Sequence, residues 1–351
     1  YLQDLRDLLP EFEAHAKVLL TGAFQGEWPA MHAWPADDMP QKRPLINLYN
    51  VGDSVNSPGM VALPAVVDTA HRVAEDVKSV FRRRSNDCWG VPKMTIQNPF
   101  DLEGKVALVT GASGAIGRDI SMALASAGAD IIVSGRNMER LKKTAKMIAD
   151  CGRRSSIIAA DLADPSDVKK LAKSSLDEFD HIDILVNNAA TNVFKKAEGF
   201  TPNDFDMIMN TNIKGGFFLS QRLAAHMQAI GGGSIIFITS QLGKTAMNFA
   251  CLYGATKAAL MQITRSLAFE WAKYNIRVNS VSPGPWATGM LEPLFGDGET
   301  LAALTRLTPA HQLGQEGDLG GAVVFLVSNA ARHITGQDLI VDGGFSICKI
   351  I

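Results

Sequence analysis

The sequence predicts an α/β protein built on a doubly wound, seven-stranded parallel sheet and preceded by a short N-terminal α+β appendage. Three observations carry that prediction. From Lys105 onward, short β-branched runs alternate with amphipathic stretches, the rhythm of successive βα units. The polar and glycine-containing motifs fall directly after the apolar runs, at the strand ends where such a sheet holds its ligand. The 351 residues, 46% hydrophobic and 20% charged, supply a sizeable core and point to one large domain with an addition.

Strands are expected at 106–110, 130–134, 156–160, 184–187, 234–239, 276–281 and 338–341. Residues 1–93 read differently. Leu2, Leu5, Leu8, Leu9 and Phe12 recur at helical spacing, and Pro29, Pro35, Pro40 and Pro44 then break the pattern. A strand-like run, Leu45 to Val51, ends at Gly52-Asp53, and a helix is expected from about Val61 to Arg82-Arg83-Arg84, a cluster read as its solvated end. The expected division is therefore an N-terminal segment, 1–93, and a main domain, 94–351, which counts 258 residues from Met94.

Composition excludes several function classes. The 34 basic and 36 acidic side chains leave a net charge of −2, without the excess a general nucleic-acid binder needs. Cys88, Cys151, Cys251 and Cys348 are widely separated and form no Cys-x-x-Cys pair, against both a disulfide framework and a zinc site, so a cytoplasmic protein is expected. Apolar runs such as Ile235–Ile238 and Ala322–Val327 are far below the ~20 residues of a membrane span, so no membrane partner is expected. Asp4 and Arg6 occupy the place of a signal peptide's apolar core, and with no initiator methionine the chain is expected to be truncated at its start.

The first strand runs into Thr110-Gly111-Ala112-Ser113-Gly114-Ala115-Ile116-Gly117 and then a helix, so backbone N–H groups and a helix N-terminus face one point suited to a pyrophosphate. The second strand ends in Ser134-Gly135-Arg136-Asn137. An acid there would accept hydrogen bonds from a ribose diol, whereas Arg136 can fork onto a 2′-phosphate; the competing reading is an exposed surface arginine. Tyr253 and Lys257 lie four residues apart, hence on one helix face, and supply a phenol and an ammonium for proton transfer to a carbonyl oxygen. Such a pair alone is often a plain solvated helix face. The Lys257 charge, together with a positive nicotinamide, is expected to lower the phenol pKa.

The order T-G-x-x-x-[G/A]-x-G, Asn187-Asn188-Ala189-Ala190, Ser240, Tyr-x-x-x-Lys and Pro283-Gly284-Pro285-Trp286-Ala287-Thr288 resembles the classical short-chain dehydrogenase/reductase family over residues 100–346. Ala115 and Ala190 stand where that family more often has glycine, and Trp286 where an aliphatic residue is usual, lining the substrate side or filling core. The resemblance implies a Rossmann-type sheet and carbonyl–alcohol interconversion with Tyr253 as acid/base, Lys257 tuning it, Ser240 orienting the carbonyl and Asn212 supporting a proton relay, with Asn210 a lesser alternative. It implies cofactor binding by Gly111, Ser113, Gly114, Ile116, Gly117, Arg136, Asp161 and Leu162 at the adenosine and phosphate end. Toward the nicotinamide it implies Asn188, Ala189, Tyr253, Lys257, Pro283, Gly284, Trp286 and Thr288. Asp161 could equally be a turn residue, and Ser240 a strand-end turn serine.

The expected cofactor is NADP(H), with NAD(H) possible, no metal and no FAD. The expected partners are a small carbonyl or alcohol substrate and further copies of the chain, as a homotetramer or homodimer. An NADP(H)-binding sensor without turnover is the competing reading, and within the enzyme class a sugar-acid or polyol dehydrogenase stands beside a 3-oxoacyl-carrier reductase. The loop from Gly289 to Gln312, with Met290, Leu291, Leu294 and Phe295, is expected to form a lid over the substrate. Residues 42–79 resemble the C-terminal end of phytoene-desaturase or amine-oxidase-like flavoproteins, where Asp53 would meet FAD. With no upstream G-x-G-x-x-G, the segment is expected to bind nothing by itself, as the remnant of a fused neighbour.

Overall fold

The computed structural model describes residues 98–286 and 298–347. The chain divides into two units, Tyr1–Thr95 and Ile96–Ile351, and the described residues all lie in the second. The readings of residues 1–93 therefore fall outside them, as do Met94, Thr288 and the lid residues Met290, Leu291, Leu294 and Phe295.

Seven strands form one sheet: β1 Val106–Thr110, β2 Asp130–Gly135, β3 Ser155–Ala159, β4 Ile184–Asn187, β5 Gly233–Ile238, β6 Ile276–Pro283 and β7 Asp338–Val341. Their order is β3-β2-β1-β4-β5-β6-β7 and every pairing is parallel. The winding thus reverses between β1 and β4, which opens a crevice at their carboxyl ends. The central strands β1, β4 and β5 carry near-continuous apolar runs because both faces of the sheet are covered there. In β1, Ala107 and Val109 face a layer that includes Ile120 and Leu124, whereas Val106 and Leu108 face Leu171, Leu219 and Leu223.

Two strand ends differ from the sequence expectation for a physical reason. β6 continues two residues past Val281, because Ser282 and Pro283 pair with Ile340 and Val341 on β7; serine and proline suggest a turn, but tertiary pairing overrides that propensity. β5 stops at Ile238, so Ser240 lies two residues beyond the strand. The remaining edges agree to within one residue.

The helices that position the site are α1 Ala115–Ser126, α2 Met138–Asp150, α3 Pro165–Glu178, α4 Pro202–Met209, α5 Gly216–Ala229, α6 Cys251–Trp271, α7 Glu299–Leu307 and α8 Gly320–Val327. Between α4 and α5 the chain forms one π-helical stretch, Asn210–Gly215. Such inserts are frequent at functional sites. Both ends of α8 are held by charge: the buried Asp119 carboxylate on α1 accepts from the N–H groups of Gly317, Leu319 and Gly320, while the Arg277 guanidinium donates to the carbonyls of Leu326, Val327 and Ser328. Negative charge at the N-terminus and positive at the C-terminus complement the helix dipole.

Candidate active site

The crevice between β1 and β4 is fixed by backbone requirements. Gly111 turns the chain at φ +64°, a conformation L side chains avoid. A Cβ on Gly117 would sit 2.2 Å from the Gly111 carbonyl oxygen, so α1 can start against the loop only with glycine there. At Gly114 the nearest such neighbour is 3.6 Å away, an ordinary contact, and Gly114 lines the cavity described below. The Asn188 amide donates to the carbonyls of Thr110 (2.9 Å) and Gly111 (3.1 Å), and Thr110 Oγ1 accepts from the N–H groups of Asn188 and Ala189. The two loops are thereby locked to each other. Ala190 is not among the residues of positive φ, so the methyl group in place of the family's glycine is accommodated.

A cavity of about 890 Å³ runs along this crevice. Gly111, Ser113, Gly114, Ile116 and Gly117 line it at the glycine-rich loop, and Arg136, Asp161 and Leu162 line the end nearest β2 and β3. Asn188, Ala189, Pro283, Gly284 and Trp286 follow, and Ser240, Tyr253 and Lys257 line the same space. Trp286 is 4% exposed; it lines the cavity and also packs into the core beside Gly314, where a Cβ would meet the indole nitrogen at 2.4 Å.

Arg136 is largely exposed and lies 3.8 Å from the Asp161 carboxylate, itself about two-fifths exposed. An ion pair so long and so wet holds the guanidinium weakly, which leaves it able to turn onto an anion. Asp161 also accepts from the Ala163 N–H at 3.0 Å, so its turn function and its cavity position coexist. Gly114 on the cavity wall, the cradle of the glycine-rich loop and the loosely held Arg136 fit a dinucleotide with its pyrophosphate at the α1 N-terminus.

The groups expected to transfer protons sit at the other end. Ser240 Oγ accepts from the Leu242 N–H at 3.2 Å, capping the short 3₁₀ turn Gln241–Gly243, and lowers the pKa of the Tyr253 phenol. Lys257 Nζ lies 5.3 Å from the centre of the Tyr253 ring and donates to the Ile238 carbonyl at 2.7 Å. The expectation that Lys257 lowers the phenol pKa does not hold for the chain by itself. Burial pushes Tyr253 up to about 12, with the Ser240 hydrogen bond opposing, and burial pushes Lys257 down to about 7. Two groups desolvated together both favour their neutral forms, so the lysine is only partly charged at neutral pH. Tyr253 keeps part of its surface open to the cavity, yet protein surrounds the phenol closely enough for desolvation to dominate.

Asn212 lies in the π-helical stretch and is not a cavity wall. Its Oδ1 accepts from the Thr191 N–H (2.8 Å), and its Nδ2 donates to the Thr191 carbonyl (3.0 Å) and to Thr256 Oγ1 (3.1 Å). The Thr256 hydroxyl in turn donates to the Tyr253 carbonyl. Asn212 thus ties the loop after β4 to the turn of α6 that carries Tyr253.

Sequence reasoning missed one cluster beside this centre. Asp338, at the start of β7, accepts from the hydroxyls of Ser280 (2.7 Å), Ser282 (2.8 Å) and Thr239 (3.1 Å) and from Lys244 Nζ (2.8 Å). Desolvation raises its pKa, but the Lys244 and serine hydrogen bonds outweigh it and hold the carboxyl below its usual range. Lys244 follows directly on the turn capped by Ser240, so the ion pair fastens that turn to the sheet. The alternation of serines in β6 was the available signal: Ser280 and Ser282 share one face of the strand.

Fold and site together define a nucleotide-dependent oxidoreductase. Residues 111–346 match the family model described as enoyl-(acyl carrier protein) reductase. The chain is 40% identical over 251 residues to the 2-dehydro-3-deoxy-D-gluconate 5-dehydrogenase of Escherichia coli, covering 71% of this chain and 98% of that protein. It is 37% identical over 248 residues to the gluconate 5-dehydrogenase of Gluconobacter oxydans, covering 71% and 97%. The structure of a gluconate 5-dehydrogenase from Burkholderia cenocepacia in complex with NADP and tartrate superposes with a TM-score of 0.69 at 35% identity, covering 72% of this chain and 98% of that one. The chain belongs to the classical short-chain dehydrogenase/reductase family, a family of NAD(P)-dependent oxidoreductases acting on CH–OH groups.

Proposed function

We propose that the protein is an NADP(H)-preferring oxidoreductase that interconverts a ketone and an alcohol on a substrate of the sugar-acid class. The observation that carries this reading is a single cavity joining the glycine-rich loop and Arg136 at one end to Ser240, Tyr253 and Lys257 at the other. The NADP in the Burkholderia enzyme and the gluconate-type names of the similar proteins support the cofactor and the substrate class.

When bound, the nicotinamide would supply or accept the hydride. The chain's own groups would do the rest. Ser240 holds the carbonyl oxygen, and the Tyr253 hydroxyl, protonated at neutral pH because burial pushes its pKa up to about 12, donates the proton to that oxygen. In the oxidation direction the phenol must first lose its proton, which requires positive charge beside it. Lys257, 5.3 Å from the ring centre, supplies that charge when its amine is protonated, and a phenolate beside it favours the ammonium form. Reduction is therefore the direction that the chain's own electrostatics favour near neutral pH.

The test is a panel of keto sugar acids and keto polyols, with consumption of NADPH followed by absorbance. Turnover of the gluconate-type ketones is expected, and absence of turnover with any carbonyl would overturn the reading. A preference for 3-oxoacyl carriers would instead favour a second reading, to which the family-model description and the apolar wall of Met247, Leu304 and Leu307 lend support. The reading also holds that residues 94–351 suffice. A chain starting at Met94 is expected to keep kcat/KM, and the full chain is expected to carry no flavin.

A further inference from the structure

The Asp338 side chain keeps its charge with only 7% of its surface exposed, against 43% for its partner Lys244. Desolvating a carboxylate offsets much of the attraction it gains, so such a pair is weak evidence for stability by itself. Its partners stand instead next to the site. Thr239, whose hydroxyl lies 3.1 Å from Oδ1, precedes Ser240, and Ser282, at 2.8 Å, precedes Pro283-Gly284. Lys244 Nζ, 2.8 Å from Oδ2, belongs to the residue that ends the turn capped by Ser240. Lys244 is not a cavity wall, whereas Gln241, Leu242 and Thr245 on either side of it are.

Ser240 is held from both directions along the chain. On its N-terminal side the Thr239 N–H donates to the Val281 carbonyl at 2.8 Å, and the Thr239 hydroxyl reaches Asp338. On its C-terminal side the Gly243 and Lys244 N–H groups donate to the carbonyls of Ser240 and Gln241, closing a short turn. The Lys244 ammonium then returns to the carboxylate that holds Thr239. Both stretches of chain leaving Ser240 thus share one anchor on β7. One residue earlier, the Ile238 carbonyl that ends β5 accepts from Lys257 Nζ, so the same short segment also meets the Tyr253 helix.

We propose that Lys244 and Asp338 are positioning residues that act through Ser240, fixing where its hydroxyl meets the substrate oxygen; the assignment rests on the oxidoreductase reading above. A carboxylate suits the task because its two oxygens offer about four acceptor sites, enough for Thr239, Ser280, Ser282 and Lys244 together. An amide would accept on one oxygen only and turn donors toward groups that themselves donate. A hydrogen bond to a reacting oxygen weakens steeply as its angle opens. A displacement of about 1 Å set off away from the chemistry can lower a rate by about 100-fold. Lys244 is tied to β7, at the far edge of the sheet from the β2 end that carries Arg136, so its loss should be felt in the chemical step and not in cofactor affinity.

The probe is 5-ketogluconate, reduced with NADPH by the full chain and by Lys244→Met, Lys244→Arg, Ser240→Ala and the Lys244→Met/Ser240→Ala double variant. Enzyme in excess makes slow rates readable as single turnovers. Lys244→Met is expected to lower the rate by roughly tenfold with NADPH affinity unchanged, and Lys244→Arg, which can still pair with the carboxylate, to recover most of it. In the Ser240→Ala background, Lys244→Met is expected to lower the rate no further, because the group it positions is gone. A pair that serves only the fold would lower both backgrounds by the same factor, and that result overturns the assignment, as does a Lys244→Met rate equal to the parent's. Asp338→Asn repeats the cycle from the other partner, and an additive fall there overturns it as well. A parent that binds NADPH but reduces neither this ketone nor any other of the panel overturns the oxidoreductase reading, and this assignment with it.

Discussion

Replacing Lys257 with methionine is expected to stabilise the cofactor-free protein while abolishing its turnover. The Lys257 side chain is 2% exposed, and burial pushes its pKa from 10.5 down to about 7. At 1.36 kcal/mol per pH unit, the fold gives up on the order of 5 kcal/mol when the pH is low enough for the amine to be charged in both states. The sign follows from linkage: below about pH 7 the folded state must carry a buried ammonium, so the penalty is complete there. As pH rises from 7 toward 10.5, the folded amine is neutral while the unfolded one is still charged, and the penalty shrinks until it vanishes. Methionine keeps a similar length without charge but leaves the Ile238 carbonyl without its donor, a loss of about 1–3 kcal/mol. The net gain for Lys257→Met should therefore be about 2–4 kcal/mol at pH 6 and should reverse between about pH 8 and 10. Urea unfolding of both proteins without cofactor, from pH 6 to 10, measures it. A variant less stable than the parent at pH 6, or a difference that does not change with pH, would refute the reasoning.

Tyr253→Phe removes the proposed proton donor but no wall of the dinucleotide end, so kcat should fall by ~10²-fold or more with NADPH affinity nearly unchanged; turnover equal to the parent would remove Tyr253 from the chemistry. Arg136→Asp should weaken NADPH relative to NADH by about 1.5–3 kcal/mol, as expected for hydrogen bonds to a charged group, read as the ratio of kcat/KM values for the two cofactors. Gly114→Ala should leave the melting temperature near that of the parent and weaken cofactor binding, because its Cβ meets protein no closer than 3.6 Å. Gly117→Ala, whose Cβ would fall 2.2 Å from a carbonyl oxygen, should lower the melting temperature itself. Phe269, 88% exposed on α6, is an apolar side chain that association would cover; we propose a homodimer or homotetramer, and Phe269→Glu is expected to shift sedimentation toward the monomer.

The parts legible in the sequence are those set by short-range rules. Continuous apolar runs gave the strands because a sheet covered on both faces needs no alternation, and the glycine-rich loop was readable because close backbone approach admits only glycine at Gly111 and Gly117. The end of β6 was misread because the polarity of Ser282 and the ring of Pro283 argue locally for a turn, whereas the partner strand that holds them, β7, lies more than fifty residues away. The same distance hid Asp338, which needs Lys244, Thr239, Ser280 and Ser282 from three other segments before its burial makes sense.

Electrostatics was the least legible layer. A phenol and a lysine four residues apart suggest a charge that activates its neighbour, but the outcome depends on solvent access, which sequence spacing does not report. In the folded chain both groups are driven toward neutrality, Tyr253 up to about 12 and Lys257 down to about 7. The consequence expected for function is that a neutral phenol beside a partly charged lysine gives a proton more readily than it takes one. Activity in the alcohol-oxidising direction should then rise with pH more steeply than reduction does. Initial rates in both directions across pH 6 to 10 on one alcohol–ketone pair would show the difference, and parallel profiles would mean that bound cofactor resets the tyrosine and lysine far more than their burial does.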